Sequence, residues 1–182
     1  MNFTPDAALA AQSNDELIPL LAGRTQWPTW QLLHTLGLRG REIIPAVIHG
    51  LGSEQPQIRR WCAELLDHNA DDSCIAPLAA LMDDPIAHVR WQAVHSLGCQ
   101  RCKGAPLNVQ KVIAARMLKL AFADPSARVR AGALQALQLD VELKTPETLA
   151  KLRSECERIN IHTPSKRERA LQRALVQALG PG

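Results

Sequence analysis

Apolar residues recur along most of this chain at spacings of three and four, the period of a helix with one buried stripe. Ile58, Cys62 and Leu66 fall on one such stripe, Val89, Ala93 and Leu97 on a second, and Val129, Ala133 and Leu137 on a third. The three stripes align column by column. Trp30-Gln31-Leu32-Leu33-His34-Thr35-Leu36-Gly37 and Trp91-Gln92-Ala93-Val94-His95-Ser96-Leu97-Gly98 share Trp, Gln, His, Leu and Gly in register, 61 residues apart. Half that offset lands on the helix that carries Ile58. One helical unit is therefore repeated, and a repeat of this kind is read before anything else because it decides the fold.

Each repeated helix has a partner before it, predicted at 17–22, 43–51, 75–82 and 112–122. Between partner and repeat stand Ser53, Asp84-Pro85 and Asp124-Pro125. A side-chain oxygen at a helix start takes up an orphan N–H, and proline in the first turn sacrifices none, so these are read as N-caps. The units are about 31 residues long early in the chain and 40 at the last step, with the excess in an inserted loop, 98–108, that contains Gly104, Pro106 and two cysteines. Pro28 shortens the second helix of the first unit to 28–36. Thr145-Pro146 and Thr163-Pro164 open two further helices, expected at 146–159 and 164–179, and Thr4-Pro5-Asp6 opens a short one. The expectation is one domain over 1–182: an N-terminal cap at 1–14, four repeats at 15–140 and a closing helix pair at 141–182.

Two-helix units with Asp-Pro before the second helix and Val-Arg at its start resemble HEAT repeats, and the short period is most similar to the HEAT-like repeats named after phycobilisome lyases. The resemblance implies an all-α, right-handed α-α superhelix, a HEAT-like solenoid of about four to five helix pairs. It also implies that the arginines Arg59, Arg90 and Arg130 are scaffold, bonding the aspartates Asp84 and Asp124 of neighbouring units. In a stack of this type the second helices line a concave wall. Trp30, His34, Arg60, Trp91 and His95 then form stripes along it, with His88, Gln57, Glu64, Arg128, Ala131 and Gln135 at equivalent positions. Two tryptophans on a solvent-facing stripe mark a contact surface, or else they pack between adjacent units.

Composition agrees with an all-helical chain: 182 residues, 46% hydrophobic, 3% aromatic and no tyrosine. No apolar run reaches the ~20 residues of a membrane span, and the start lacks a signal-peptide pattern. The expectation is a cytoplasmic protein whose five cysteines are reduced thiols. Charge divides along the chain. Through residue 100 there are 6 basic and 11 acidic residues; from 101 onward there are 15 and 7. The basic half, including Lys166, Arg167, Arg169 and Arg173, makes nucleic-acid binding the alternative to a protein partner.

Chemistry is sparse. Cys99-Gln100-Arg101-Cys102 supplies two thiols where a structural zinc needs four ligands. His68 and Cys74, in the loop on the same edge of a stack, are the residues that would complete a Cys3His set; without them the pair is plain thiols, and no metal or other cofactor is assigned. None of the six histidines is followed by Glu, as the two-iron hydroxylases of this fold require. Trp30, Trp91 and Arg60 faintly match the groove of HEAT-like DNA glycosylases, but the surrounding half is acidic. No residue identifies a tetrapyrrole site, so lyase activity rests on the family name alone, and no catalytic residue is assigned. The leading expectation is a non-enzymatic interaction or scaffold module that binds a protein or peptide.

Overall fold

A computed structural model describes residues 6–23, 25–99, 102–103, 107–109, 111–137, 145–160 and 165–179. The predicted Thr4-Pro5 and Thr163-Pro164 openings, and Gly104 and Pro106 of the inserted loop, lie outside the described residues. So do the side chains of Lys166 and Arg167. The described residues hold helices and no strand. The sequence reading is of one repeat domain; the contacts gather into two compact units, 1–108 and 109–182.

The first unit contains α1 (Ala7–Ala10), α2 (Asn14–Leu20), α3 (Thr29–Gly37), α4 (Ile44–Leu51), α5 (Pro56–Asn69), α6 (Ile75–Ala80) and α7 (Ala87–Gly98). They form three successive hairpins, α2–α3, α4–α5 and α6–α7. Contacts join α2 to α4 and α4 to α6 in one row, and α3 to α5 and α5 to α7 in the other. That two-row arrangement is what a repeated amphipathic hairpin makes, because each unit buries its stripe only against the next. The predicted columns are the core: Ile58, Cys62, Leu66, Val89, Ala93 and Leu97 are buried, together with Leu32, Leu36, Val47 and Leu78.

Local chemistry sets the helix ends. Asp6 accepts from the Ala8 N–H at 2.8 Å and opens α1. Ser13 and Glu16 make a reciprocal capping box on α2. Asp84 does not act as the N-cap that its sequence position predicts. It accepts from the Ile86 N–H at 2.8 Å, and α7 begins at Ala87. Asp124 does the same with Ser126 at 2.7 Å. Each aspartate therefore shapes an Asx-type turn one step before the helix. Gly50 lets α4 pack close against its neighbours: a Cβ there would stand 2.5 Å from the Cys62 sulfur and 3.0 Å from Ile18 Cγ2.

The second unit contains α8 (Lys111–Ala123), α9 (Ala127–Leu137), α10 (Pro146–Asn160) and α11 (Lys166–Leu179). α8 packs on α9, α9 on α11 and α10 on α11. Val129, Ala133, Leu134, Leu152, Leu171 and Leu175 are buried, while Leu137, at the end of its column, is partly exposed.

Candidate functional site

The second helices α3, α5 and α7 lie side by side, and their outer residues fall into columns. Trp30, His34 and Leu38 follow one another at four-residue steps from the start of α3 to just past its end; Arg60, Glu64 and His68 do so on α5, and Trp91, His95 and Cys99 along α7 to the residue that caps it. Trp30 is 53% exposed and Leu38 62%. Between α3 and α5 runs a groove of about 420 Å³, lined on one side by Leu33, His34 and Leu38 and on the other by Glu64, Leu65 and His68. Of the residues expected on this wall, His34 lines the groove, and Trp30 precedes it by one turn on α3. Arg60 folds its guanidinium over the Trp61 ring, 4.0 Å from the ring centre. Trp91 is half-buried and lies flat on His95, ring centres 5.3 Å apart with planes 12° from parallel.

His95 turns from that wall toward a second constellation. Its Nε2 stands 3.3 Å from Oδ2 of Asp67, a buried residue near the end of α5. One turn beyond His95, at the end of α7, Cys99 brings its sulfur 3.0 Å from that of Cys102. One ligand atom from each of Asp67, His95, Cys99 and Cys102 lies within 4.8 Å of all the others. Lys103, whose side chain is 1% exposed, donates to the Cys99 carbonyl at 2.8 Å and places its ammonium 3.6 Å from Asp67 Oδ1. That oxygen is buried and accepts no hydrogen bond.

The electrostatics follow the geometry. Burial opposes charge on Asp67, but hydrogen bonds with His95 and Cys102 and the Lys103 charge outweigh it and hold the carboxyl below its usual range. The Asp67 hydrogen bond holds the His95 ring above its usual value against burial. Burial also acts to raise the Cys99 thiol, yet hydrogen bonding with Cys102 and the nearby His95 hold it below the ordinary value. The same bond with Cys99, and one with Asp67, push Cys102 up to about 12.

The two residues that the sequence offered to complete the cysteine pair stand elsewhere. Cys74 is buried beside Asp71 and Ser73. His68 is exposed, and its Nδ1 meets the Cys102 carbonyl at 3.1 Å, touching the loop through backbone rather than sulfur. Asp67 and His95 take the places in the cluster. Arg59 meets the expected aspartate of the next unit, Asp84, while Arg90 and Arg130 donate to backbone carbonyls in the turns before their own helices. Arg90 donates to the Asp84 carbonyl at 2.7 Å and Arg130 to the Asp124 carbonyl at 2.8 Å. On α11 Arg169 and Arg173 are exposed.

Residues 44–114, from the first turn of α4 into α8, match the family model described as HEAT repeats. The match supports a HEAT-repeat family. No curated protein matches the chain. The HEAT segment covers both α5 and α7, so all four members of the Asp67 cluster lie inside it. Among the described residues no helix is long and apolar enough to cross a membrane.

Proposed function

We propose that the chain is a non-enzymatic docking module that takes a protein or peptide segment along the outer wall of α3, α5 and α7. The observation that carries this reading is the pair Trp30 and Leu38, near the start of α3 and just past its end, both more than half exposed, with Leu38 lining the α3–α5 groove and Trp30 one turn before its lining residue His34. Covering the exposed half of that indole, on the order of 100 Å², is worth about 2–3 kcal/mol. His34, Glu64 and Arg60 supply polar partners at the rim. The wall stands on packed helices, so docking orders little of the protein itself. His95 is engaged with Asp67, which leaves Trp30, His34, Arg60 and Trp91 as the predicted contacts.

The spacing of about 31 residues supports the short HEAT-like subclass, and five cysteines with no disulfide among them support a cytoplasmic setting. Selection of a displayed peptide library on the immobilised chain tests the docking surface. Selected peptides should bind at least tenfold more weakly to Trp30→Ala and Leu38→Ser, and equally well to Ile86→Ser, a substitution at an exposed apolar residue just before α7. Peptide binding indifferent to Trp30 and Leu38 rejects the wall. Salt-sensitive binding of DNA or RNA with no peptide selected would instead favour the basic second unit, residues 109–182, which carries 13 basic and 7 acidic residues.

A further inference from the structure

We propose that Asp67, His95, Cys99 and Cys102 form a four-ligand site for a thiophilic divalent cation, with zinc the ion that this donor set suits. Two thiols, an imidazole and a carboxylate are the ligand types of tetrahedral zinc, and a site closed by four protein donors is structural, with no position left for a substrate. The fold delivers them from three places: Asp67 near the end of α5, His95 and Cys99 one turn apart at the end of α7, and Cys102 on the loop that follows.

The spacings fit. Bonds of about 2.3 Å to sulfur and about 2.0 Å to nitrogen or oxygen put the corners of a tetrahedron about 3.3–3.8 Å apart. The His95 to Asp67 separation is already 3.3 Å. The two sulfurs, 3.0 Å apart, need to open by under ~1 Å, and Cys102 is on a loop rather than a helix. The charges close as well. With two thiolates and one carboxylate around a dication, the site is left one unit negative, and the buried Lys103 ammonium beside Asp67 supplies the balancing positive charge. Binding releases the two thiol protons to solvent and displaces from His95 Nε2 the proton that bonds it to Asp67. Asp67 is a buried carboxylate whose Oδ1 accepts no hydrogen bond and has the Lys103 ammonium 3.6 Å away, so it keeps acceptor capacity that a cation can use.

The consequence is mechanical. The ion would fasten Cys102 to the end of α5, where the His68–Cys102 hydrogen bond already holds it, while Asn108 bonds Asp72 in the turn that follows α5.

The test is titration of the full, reduced, metal-free chain with Co2+, followed by displacement with Zn2+. One equivalent should bind with the ligand-field bands of tetrahedral cobalt and a thiolate charge-transfer band. Cys99→Ser and Asp67→Asn should each weaken binding at least tenfold, while Cys74→Ser leaves it unchanged. The proposal is overturned if the reduced wild-type chain takes up no cobalt. It is equally overturned if uptake survives Cys99→Ser undiminished, if Asp67→Asn has no effect, or if Cys74→Ser costs as much as either. Because the wild-type titration needs no substitution, a variant that fails to fold does not rescue or sink the idea.

Discussion

Arg59 holds both carboxylate oxygens of Asp84, with Nε 2.6 Å from one and an η-nitrogen 3.1 Å from the other. The same guanidinium donates to the carbonyls of Ser53 and Glu54 in the turn before its own helix. One side chain thus joins the turn that starts α5 to the turn that starts α7. With Asp84 almost wholly buried and Arg59 mostly so, removing either partner strands a charge. Asp84→Ala is expected to cost about 3–5 kcal/mol, and Arg59→Lys to recover little, since a single ammonium cannot reproduce the fork. Chemical denaturation of the two variants checks both statements.

Gly50 is the second sensitive point. The atom closest to a new methyl is the sulfur of fully buried Cys62. Gly50→Ala gains roughly 1 kcal/mol in helix propensity but must separate α4 from α5, at about 1–3 kcal/mol. The expected net is a loss. Gly50→Ala combined with Cys62→Ala should restore part of it, and the thermal midpoints of the single and double variants read the difference.

Burial pushes the Cys62 thiol up to about 12. In the folded chain at neutral pH it should resist alkylation by iodoacetamide, and react only as fast as the first unit opens. Mass mapping of labelled cysteines over a denaturant series follows this directly; rapid labelling of Cys62 without denaturant would contradict the packing described.

In the second unit, Glu155 accepts from Arg158 at 2.7 and 2.8 Å and stands 3.5 Å from Arg130 of α9. The Arg158 hydrogen bonds come first, and with the two positive charges they outweigh desolvation, holding the carboxyl below its usual range. A carboxyl depressed on folding contributes stability above its unfolded value of about 4.3, and that contribution disappears as pH falls through the lower folded value. Since the group is partly solvated, the effect stays under about 1 kcal/mol. Thermal melts between pH 6 and pH 3 should show a smaller acid loss in Glu155→Gln than in the parent chain.

The fold was legible because repetition prints the same stripe several times: Ile58, Val89 and Val129 mark one buried column in three helices, and all three are buried. Helix starts were less legible. Asp84 and Asp124 have the residue type of an N-cap but bond two residues ahead, and only backbone geometry separates a cap from an Asx turn. The Asp67 cluster was half legible. The cysteine pair stands out in the sequence, yet the residues chosen to complete it, His68 and Cys74, sit one step out of phase or in another pocket. A helix turns about 100° per residue, so Asp67 faces inward where His68 faces out. A usable signal did exist. Asp67 follows Leu65 and Leu66 on a helix that buries all three, and His95 precedes Cys99 by one turn, so both residues lie at the same corner.

The flat contact between Trp91 and His95 gives the molecule an optical gauge of its own. Indole emission is sensitive to whatever sits against the ring, so light from this tryptophan will follow changes at the imidazole without any attached dye. Trp27, Trp30 and Trp61 precede α7 in the chain, and subtracting the spectrum of Trp91→Phe isolates the signal from that one ring.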